Sequence, residues 1–285
     1  MVAGYIRAIK VEGTVWQVIR GTGQRERLRE GDFLLQGNVV VTSADSRVIL
    51  LFQNGSTVNL QPGTTFSIDQ FLVDPFAAEG LDYRKMEKEP SKSVTRLRVD
   101  EGTATTKVTR LKGDSAYSVD TPLGTAGIRG TVVTLKSAPE ADFIVVTEGS
   151  IEASKDGEAF WIAGGAGQGS RSNTRSGRKG SLSEQTIIIS RDKNYIPPPG
   201  AAEQLAQAGE SFSESAAGMI PADPFSGATE AAGSDGSSSA SGGSYGGGGS
   251  PPPLPGGFGG GGGGGSGGDS APATSESGGG GIYSN

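Results

Sequence analysis

Residues 47–61, RVILLFQNGSTVNLQ, decide the fold class. Two apolar runs flank an Asn54–Gly55 pair, and Asn-Gly is the pair that best tolerates the positive φ angles of a two-residue type I′ turn, so the stretch predicts a β-hairpin. Similar short runs, separated by Gly, Asn, Asp and Pro, fill residues 1–190, and no long window there repeats apolar residues at helical spacing. The body of the chain is therefore predicted to be almost entirely β.

An acidic residue followed by glycine recurs between strand-like runs, at Glu12–Gly13, Glu101–Gly102 and Glu148–Gly149. Such pairs are common turn chemistry, because glycine accepts backbone angles that other residues avoid. The unequal spacing excludes a regular short-period repeat. We interpret the three pairs as one turn solution used three times in a larger β body.

Composition divides the chain. All 25 Lys and Arg residues lie before residue 201, and the remainder combines acidic residues with long Gly, Ser and Pro runs. Such a segment buries too little apolar surface to offset its ordering entropy. We therefore expect a β domain at residues 1–195 and an acidic, disordered tail at 196–285, in which AAEQLAQAGESF forms at most a short, marginal helix.

The residue types also restrict the chemistry. The chain has no His and no Cys, which removes the Ser-His-Asp arrangement, thiolate nucleophiles and Cys/His metal ligation. We predict no cofactor and no metal. The β body is nearly neutral with interspersed charges, so we expect no nucleic-acid partner, and no apolar run is long enough to span a membrane. Acidic pairs such as Asp114 with Asp120, or Glu140 with Asp142, leave a carboxylate-based polysaccharide-active enzyme as a remote alternative.

Residues 121–131, TPLGTAGIRGT, have three glycines but match neither a dinucleotide fingerprint nor a P-loop, and a β-branched run follows them. We interpret the stretch as a tight crossover between β layers, with the Arg129 guanidinium fixed to a carboxylate or to carbonyl oxygens. The alternative is that Arg129 contacts a ligand. The candidate binding or structural residues are Pro122, Gly124, Arg129, Gly130 and Thr131.

A second candidate is the basic loop within residues 164–184, whose cations are Arg171, Arg175, Arg178 and Lys179. A charge cluster of this kind is typical of a solvated loop. The sharper alternative is contact with an anionic ligand or surface.

Several segments together resemble the FecR domain family: EGTVWQVIRG, the stretch from LREGDF to TTFSI, VDEGTATTKV, YSVDTPLGTAGIRGTVVTL and IVVTEGSIEAS. They occur in the family's order over residues 10–155. In the family, the V-x-T-P…R-G-T segment, here Val119 to Thr131, is a hallmark of an all-β envelope domain. The many short strands fit either a twisted β-solenoid-like stack or a two-sheet sandwich, and of the two the resemblance favours the solenoid. The anti-sigma segment and membrane helix of the FecR regulator have no counterpart in this sequence.

From this resemblance we expect a non-enzymatic protein of the bacterial cell envelope, periplasmic or extracellular, that binds or scaffolds an envelope protein or glycan. The alternative is a ligand-sensing component of a sigma-factor regulatory system. The N-terminal residues MVAGYIRAIKVEG lack the pattern of a signal peptide. The sequence leaves homo-oligomerisation open.

Overall fold

The structure, a computed structural model, describes residues 1–226 except 20, 79, 156–157, 165–185 and 193, and of the strand at 158–164 it describes the backbone alone. The chain divides into a unit Met1–Ser237 and a unit Ser238–Asn285. The second unit lies outside the described residues, and so do the four cations of the predicted basic loop.

The described residues form sixteen strands, a 3₁₀ helix at Tyr83–Lys85 and one α-helix, α1 (Ala201–Met219). The strands are β1 (Val2–Ala3), β2 (Ile6–Glu12), β3 (Val15–Val18), β4 (Arg25–Arg27), β5 (Phe33–Leu34), β6 (Val39–Thr42), β7 (Arg47–Phe52), β8 (Thr57–Leu60), β9 (Thr65–Val73), β10 (Ser93–Lys107), β11 (Ala116–Thr121), β12 (Gly124–Ile128), β13 (Val132–Ser137), β14 (Ala141–Lys155), β15 (Glu158–Gly164) and β16 (Thr186–Ser190).

Two sheets face each other across one apolar core. In sheet A the strand order is β4-β3-β6-β9-β10-β11-β12-β14-β15, with β1 also beside β9. In sheet B it is β5-β2-β7-β8-β10-β13-β14-β16. Inward residues of both sheets share the core, where the rings of Phe52 and Phe71 lie 5.0 Å apart. The all-β prediction is confirmed, and the two facing sheets form a sandwich, which is one of the two arrangements that the sequence left open.

The three Glu-Gly pairs are the corners at which the chain crosses between the sheets. Glu12–Gly13 joins β2 of sheet B to β3 of sheet A, while the other two pairs lie inside the long strands β10 and β14. Each of these strands has one half in each sheet. All three glycines have positive φ, 75°, 93° and 81° in chain order. The shared left-handed glycine agrees with one repeated turn solution, although only the first pair separates two strands, and the other two bend a continuous strand.

Each corner glycine also lies against a neighbouring turn. A Cβ atom on Gly102 would be 2.5 Å from the Cα of Thr64, and the backbone N–H of Thr103 donates to the Thr64 hydroxyl at 3.0 Å. At the first corner the backbone N–H of Thr14 donates to the Ser46 hydroxyl in the same way, at 2.7 Å. Close backbone approach and left-handed geometry therefore both require glycine.

The Asn54–Gly55 hairpin forms, but its turn type differs from the prediction. Gly55 N–H donates to the carbonyl of Phe52, and Phe52 N–H donates to the carbonyl of Ser56, both at 2.8 Å. These bonds define a three-residue loop in which Gly55, with φ 88°, is a left-handed bulge residue. Asn54 is buried, and its side chain accepts from Ser56 N–H at 3.1 Å. This side-chain bond satisfies the Ser56 N–H, which in a two-residue turn would donate to a carbonyl of the opposite strand.

Helix α1 corrects the predicted domain boundary at residue 195. Leu205, Gly209 and Phe212 are buried against the outer face of sheet B, where Phe212 joins an apolar cluster with Ile49 and Leu51. Three cationic side chains donate hydrogen bonds to backbone carbonyls of this segment: Lys107 to Ser213 at 2.9 Å, Arg84 to Ile220 at 2.7 Å and Arg7 to Pro224 at 2.6 Å. Residues 201–226 thus belong to the folded body, while the remaining predicted tail lies outside the described residues.

Gly102→Ala is expected to destabilise the body more than Gly63→Ala. Both glycines have positive φ, but a Cβ meets backbone only at Gly102, whereas nothing lies within 4 Å of the Gly63 position. The left-handed angle alone costs an alanine about 1–2 kcal/mol, and the clash at Gly102 adds about 1–3 kcal/mol. Denaturant unfolding of both variants measures the difference. Equal losses of stability would show that the corner has room for a side chain.

Limited thermolysin digestion is expected to leave a resistant core that retains α1 and ends beyond Phe225, because α1 buries apolar side chains against sheet B. Intact mass of the digest locates the end. Phe212→Ala removes the central anchor and should move the end toward residue 200. A wild-type core that stops before Ala201 would contradict the docking of α1.

Candidate functional site

A β-bulge brings two consecutive polar side chains to the outer face of sheet A. In β9, Ile68 pairs with Leu97 and Gln70 pairs with Arg96, so Asp69 is the extra residue of the bulge. Ile68 and Phe71 both face the core. The extra residue shifts the alternation, and both Asp69 and Gln70 therefore face outward.

A second bulge follows three residues along β10. Val99 pairs with Phe66, and Glu101 with Thr65, which leaves Asp100 unpaired in the ladder. Arg98 lies between the two bulges on the same outer face. The two irregularities thus place a carboxylate on each side of one guanidinium.

The Arg98 guanidinium is held by three side chains. Its Nε lies 3.3 Å from Asp69 Oδ2, its Nη1 lies 3.2 Å from Asp100 Oδ1, and its Nη2 donates to the Ser67 hydroxyl at 3.3 Å. Ser67 in turn donates to Asp100 Oδ2 at 3.0 Å. The Arg98 side chain is 43% exposed, so these ion pairs add little stability. Their main effect is to fix the orientation of a planar donor and two acceptors.

Two adjoining cavities lie over this cluster, and we name them together the sheet A groove. The larger has a volume of about 400 Å³ and is lined by Gln36, Gly37, Asp69, Gln70 and Arg96. The smaller, of about 230 Å³, shares Gly37 and Asp69 with it. Its further lining includes apolar Val18, Ile19 and Val39 and polar Asn38, Ser67 and Arg98.

Several groove side chains keep hydrogen-bonding capacity for a ligand. Gln36 accepts from Phe71 N–H at 3.3 Å through Oε1, and its amide donors have no partner among the described residues. The side chains of Gln70 and Arg96 likewise make no hydrogen bond or ion pair within the described part of the chain. The groove therefore offers donors and acceptors that are not used within the described residues.

The residues that the sequence singled out at 121–131 lie elsewhere, and none of them lines the groove. Pro122 is exposed in the two-residue turn between β11 and β12. Gly124 begins β12 rather than a turn, and a Cβ on it would lie 2.9 Å from the Ser154 carbonyl oxygen. Its small size permits close strand approach.

The crossover between sheets falls at residues 129–131, between β12 and β13. Thr131 is buried and donates to the Ser150 carbonyl at 2.9 Å, beside the third Glu-Gly corner, and Gly130 has φ 92°. Arg129 does donate to a carbonyl oxygen, that of Gly113, but the bond is long, at 3.5 Å, and the side chain is exposed. Within the described part of the chain this is its one hydrogen bond. The polar anchor of this turn is the threonine.

The acidic pairs proposed for catalysis have structural bonds. Asp142 is fully buried and accepts from Leu123 N–H at 2.9 Å, and Asp120 accepts from the Thr125 hydroxyl at 2.6 Å. Among the described residues, no three carboxylates come together in a way that could hold a metal ion. Within the same ranges, no helix is long and apolar enough to cross a membrane.

Comparison with protein-family models gives one family, described as FecR protein, over residues 38–152. Over these residues, about two fifths of its length, the chain is similar to the FecR family. The matched region includes both bulges, Arg98 and the crossover at residues 129–131. FecR domains occur in signalling proteins of the cell envelope and are generally non-enzymatic, which supports a signalling-related regulator as the broad function.

Two crystal structures of a proposed anti-sigma factor from Parabacteroides distasonis ATCC 8503 are similar to the chain, each with 14% identity and a TM-score of 0.37. The similarity covers 56% of this chain and 57% of the crystallised chain, so this chain spans just over half the length of the solved structures that it matches. No curated protein sequence matches significantly.

Arg129→Ala is expected to change the free energy of unfolding by less than about 0.5 kcal/mol, because the side chain is exposed. Thr131→Val, which keeps the shape and removes the hydroxyl, should cost about 0.5–1.5 kcal/mol by removing the part-buried hydrogen bond to the Ser150 carbonyl. Thermal and chemical unfolding of the two variants test the assignment. A larger loss for Arg129→Ala than for Thr131→Val would reverse it.

Proposed function

We propose that the chain is a non-enzymatic binding module of the bacterial cell envelope and that the sheet A groove is where it engages an envelope partner. The observation that carries the proposal is the Arg98 cluster. Two bulges, one in each neighbouring strand, place Asp69 and Asp100 around one guanidinium on a sheet face. Bulges of this kind are enriched beside functional sites, and these ion pairs contribute little to stability.

The composition of the groove supports binding rather than catalysis. The chain has no His or Cys, and the carboxylates of the groove are paired with Arg98 rather than placed opposite one another as an acid and a nucleophile. The family's generally non-enzymatic character agrees with this.

A regulatory version of this function is supported by the similarity to the FecR family itself, because FecR domains occur in cell-envelope signalling proteins. In that version the groove senses a ligand and the chain transmits occupancy to a partner that contacts a sigma-factor pathway. A sigma-factor gene beside the gene for this chain would favour the regulatory version over simple scaffolding.

Co-sedimentation of the full chain with isolated bacterial envelope particles tests the proposal. Gln70→Trp places a large side chain in the larger cavity, and we expect it to weaken binding at least about tenfold. Lys136→Trp is the control, since Lys136 is exposed on β13 of sheet B. Both variants should unfold at wild-type denaturant concentrations.

Wild-type sedimentation, loss with Gln70→Trp and retention with Lys136→Trp support the groove as the binding site. Equal sedimentation of the wild type and Gln70→Trp would exclude it.

A further inference from the structure

We infer that the sheet A groove recognises a neutral glycan, through its hydroxyl groups. This inference rests on the proposed binding function and names the class of ligand. Its basis is the charge balance, the side-chain chemistry and the backbone pairing of the groove.

Among the described residues, the charges in and beside the groove balance. Asp69, Arg96 and Arg98 line it, and Asp100, which lines neither cavity, contacts Arg98 at its edge. An anionic ligand that approached Arg98 would also meet the two carboxylates, and a cationic ligand would meet both guanidiniums. A neutral ligand has no such conflict, so the balance selects against charged groups.

The groove combines hydrogen-bond donors with acceptors. The Gln36 amide, the Gln70 amide and the Arg96 guanidinium have unused donors, and the Gln70 amide oxygen adds an acceptor among the described residues. A sugar hydroxyl both donates and accepts, so it can satisfy either type. Planar amides, carboxylates and guanidiniums can engage two neighbouring hydroxyls at once.

The shape of the groove also fits a chain of sugar rings. Its two cavities adjoin at Gly37 and Asp69, so they can hold successive rings. Val18, Ile19 and Val39 supply an apolar wall in the smaller cavity, against which the C–H faces of a ring can pack.

A peptide fits the groove less well. The groove lies over β9 and β10, and both strands are internal to sheet A: β9 pairs with β10 on one side and with β1 and β6 on the other, and β10 pairs with β11 as well. Their backbone groups are therefore already bonded, and an extended peptide cannot add to the sheet there. A partner helix would need a broad apolar face, whereas the larger cavity is lined by polar side chains and Gly37.

The test is titration of the full ¹⁵N-labelled chain with neutral oligosaccharides of three to six units, taken from the cello-, chito-, malto- and xylo- series. We expect at least one series to shift the side-chain amide signals of Gln36 and Gln70. Gln70→Ala and Arg96→Ala should weaken that binding about tenfold or more without lowering the unfolding temperature, because neither side chain has a hydrogen-bond or ion-pair partner among the described residues. Lys136→Ala should bind as the wild type does.

Co-sedimentation distinguishes failure of the glycan inference from failure of the proposed function. If no oligosaccharide shifts the groove signals, while Gln70→Trp still loses envelope binding and protease treatment of the envelope particles abolishes it, the ligand is a protein. That result overturns the glycan inference and leaves the proposed function standing. If Gln70→Trp binds the envelope particles normally, the proposed function fails first.

Discussion

A glycine in left-handed geometry at each Glu-Gly corner is the constraint on which the sandwich depends. At Gly13, Gly102 and Gly149 the chain leaves one sheet and enters the other, and no other residue type combines that backbone angle with the space present. The corners let β10 and β14 serve both sheets. Because of this sharing, the core between the sheets is continuous from β2 to β16.

The same long strand that bends at a corner also builds the groove. On the N-terminal side of the corner at Glu101–Gly102, β10 contains the bulge at Asp100 and, two residues earlier, Arg98. The opposing bulge at Asp69 adds the second carboxylate. Stability comes from the apolar inner face, and the outer face has irregularities that contribute little to stability and orient polar side chains.

Sequence reasoning predicted the β body, the Glu-Gly turns and the FecR resemblance, because each depends on local residue chemistry. It missed the groove, since the bulge at Asp69 is visible only as a break in alternation between Ile68 and Phe71. It also missed the docking of α1, whose Ala, Gly and Ser residues predict a weak helix. The continuous apolar run of β7 was the sequence feature that could have indicated a covering element. A strand that is buried on both faces loses the alternation of apolar and polar residues.

Native-state hydrogen exchange at the Thr103 amide tests the role of the corners most directly. This N–H donates to the Thr64 hydroxyl at the second corner. If the corners hold the two sheets together, the amide exchanges only through global unfolding, with the same free energy that denaturant unfolding gives. Exchange as fast as that of the exposed loop residue Thr22 would show that the corner opens locally and would contradict the account.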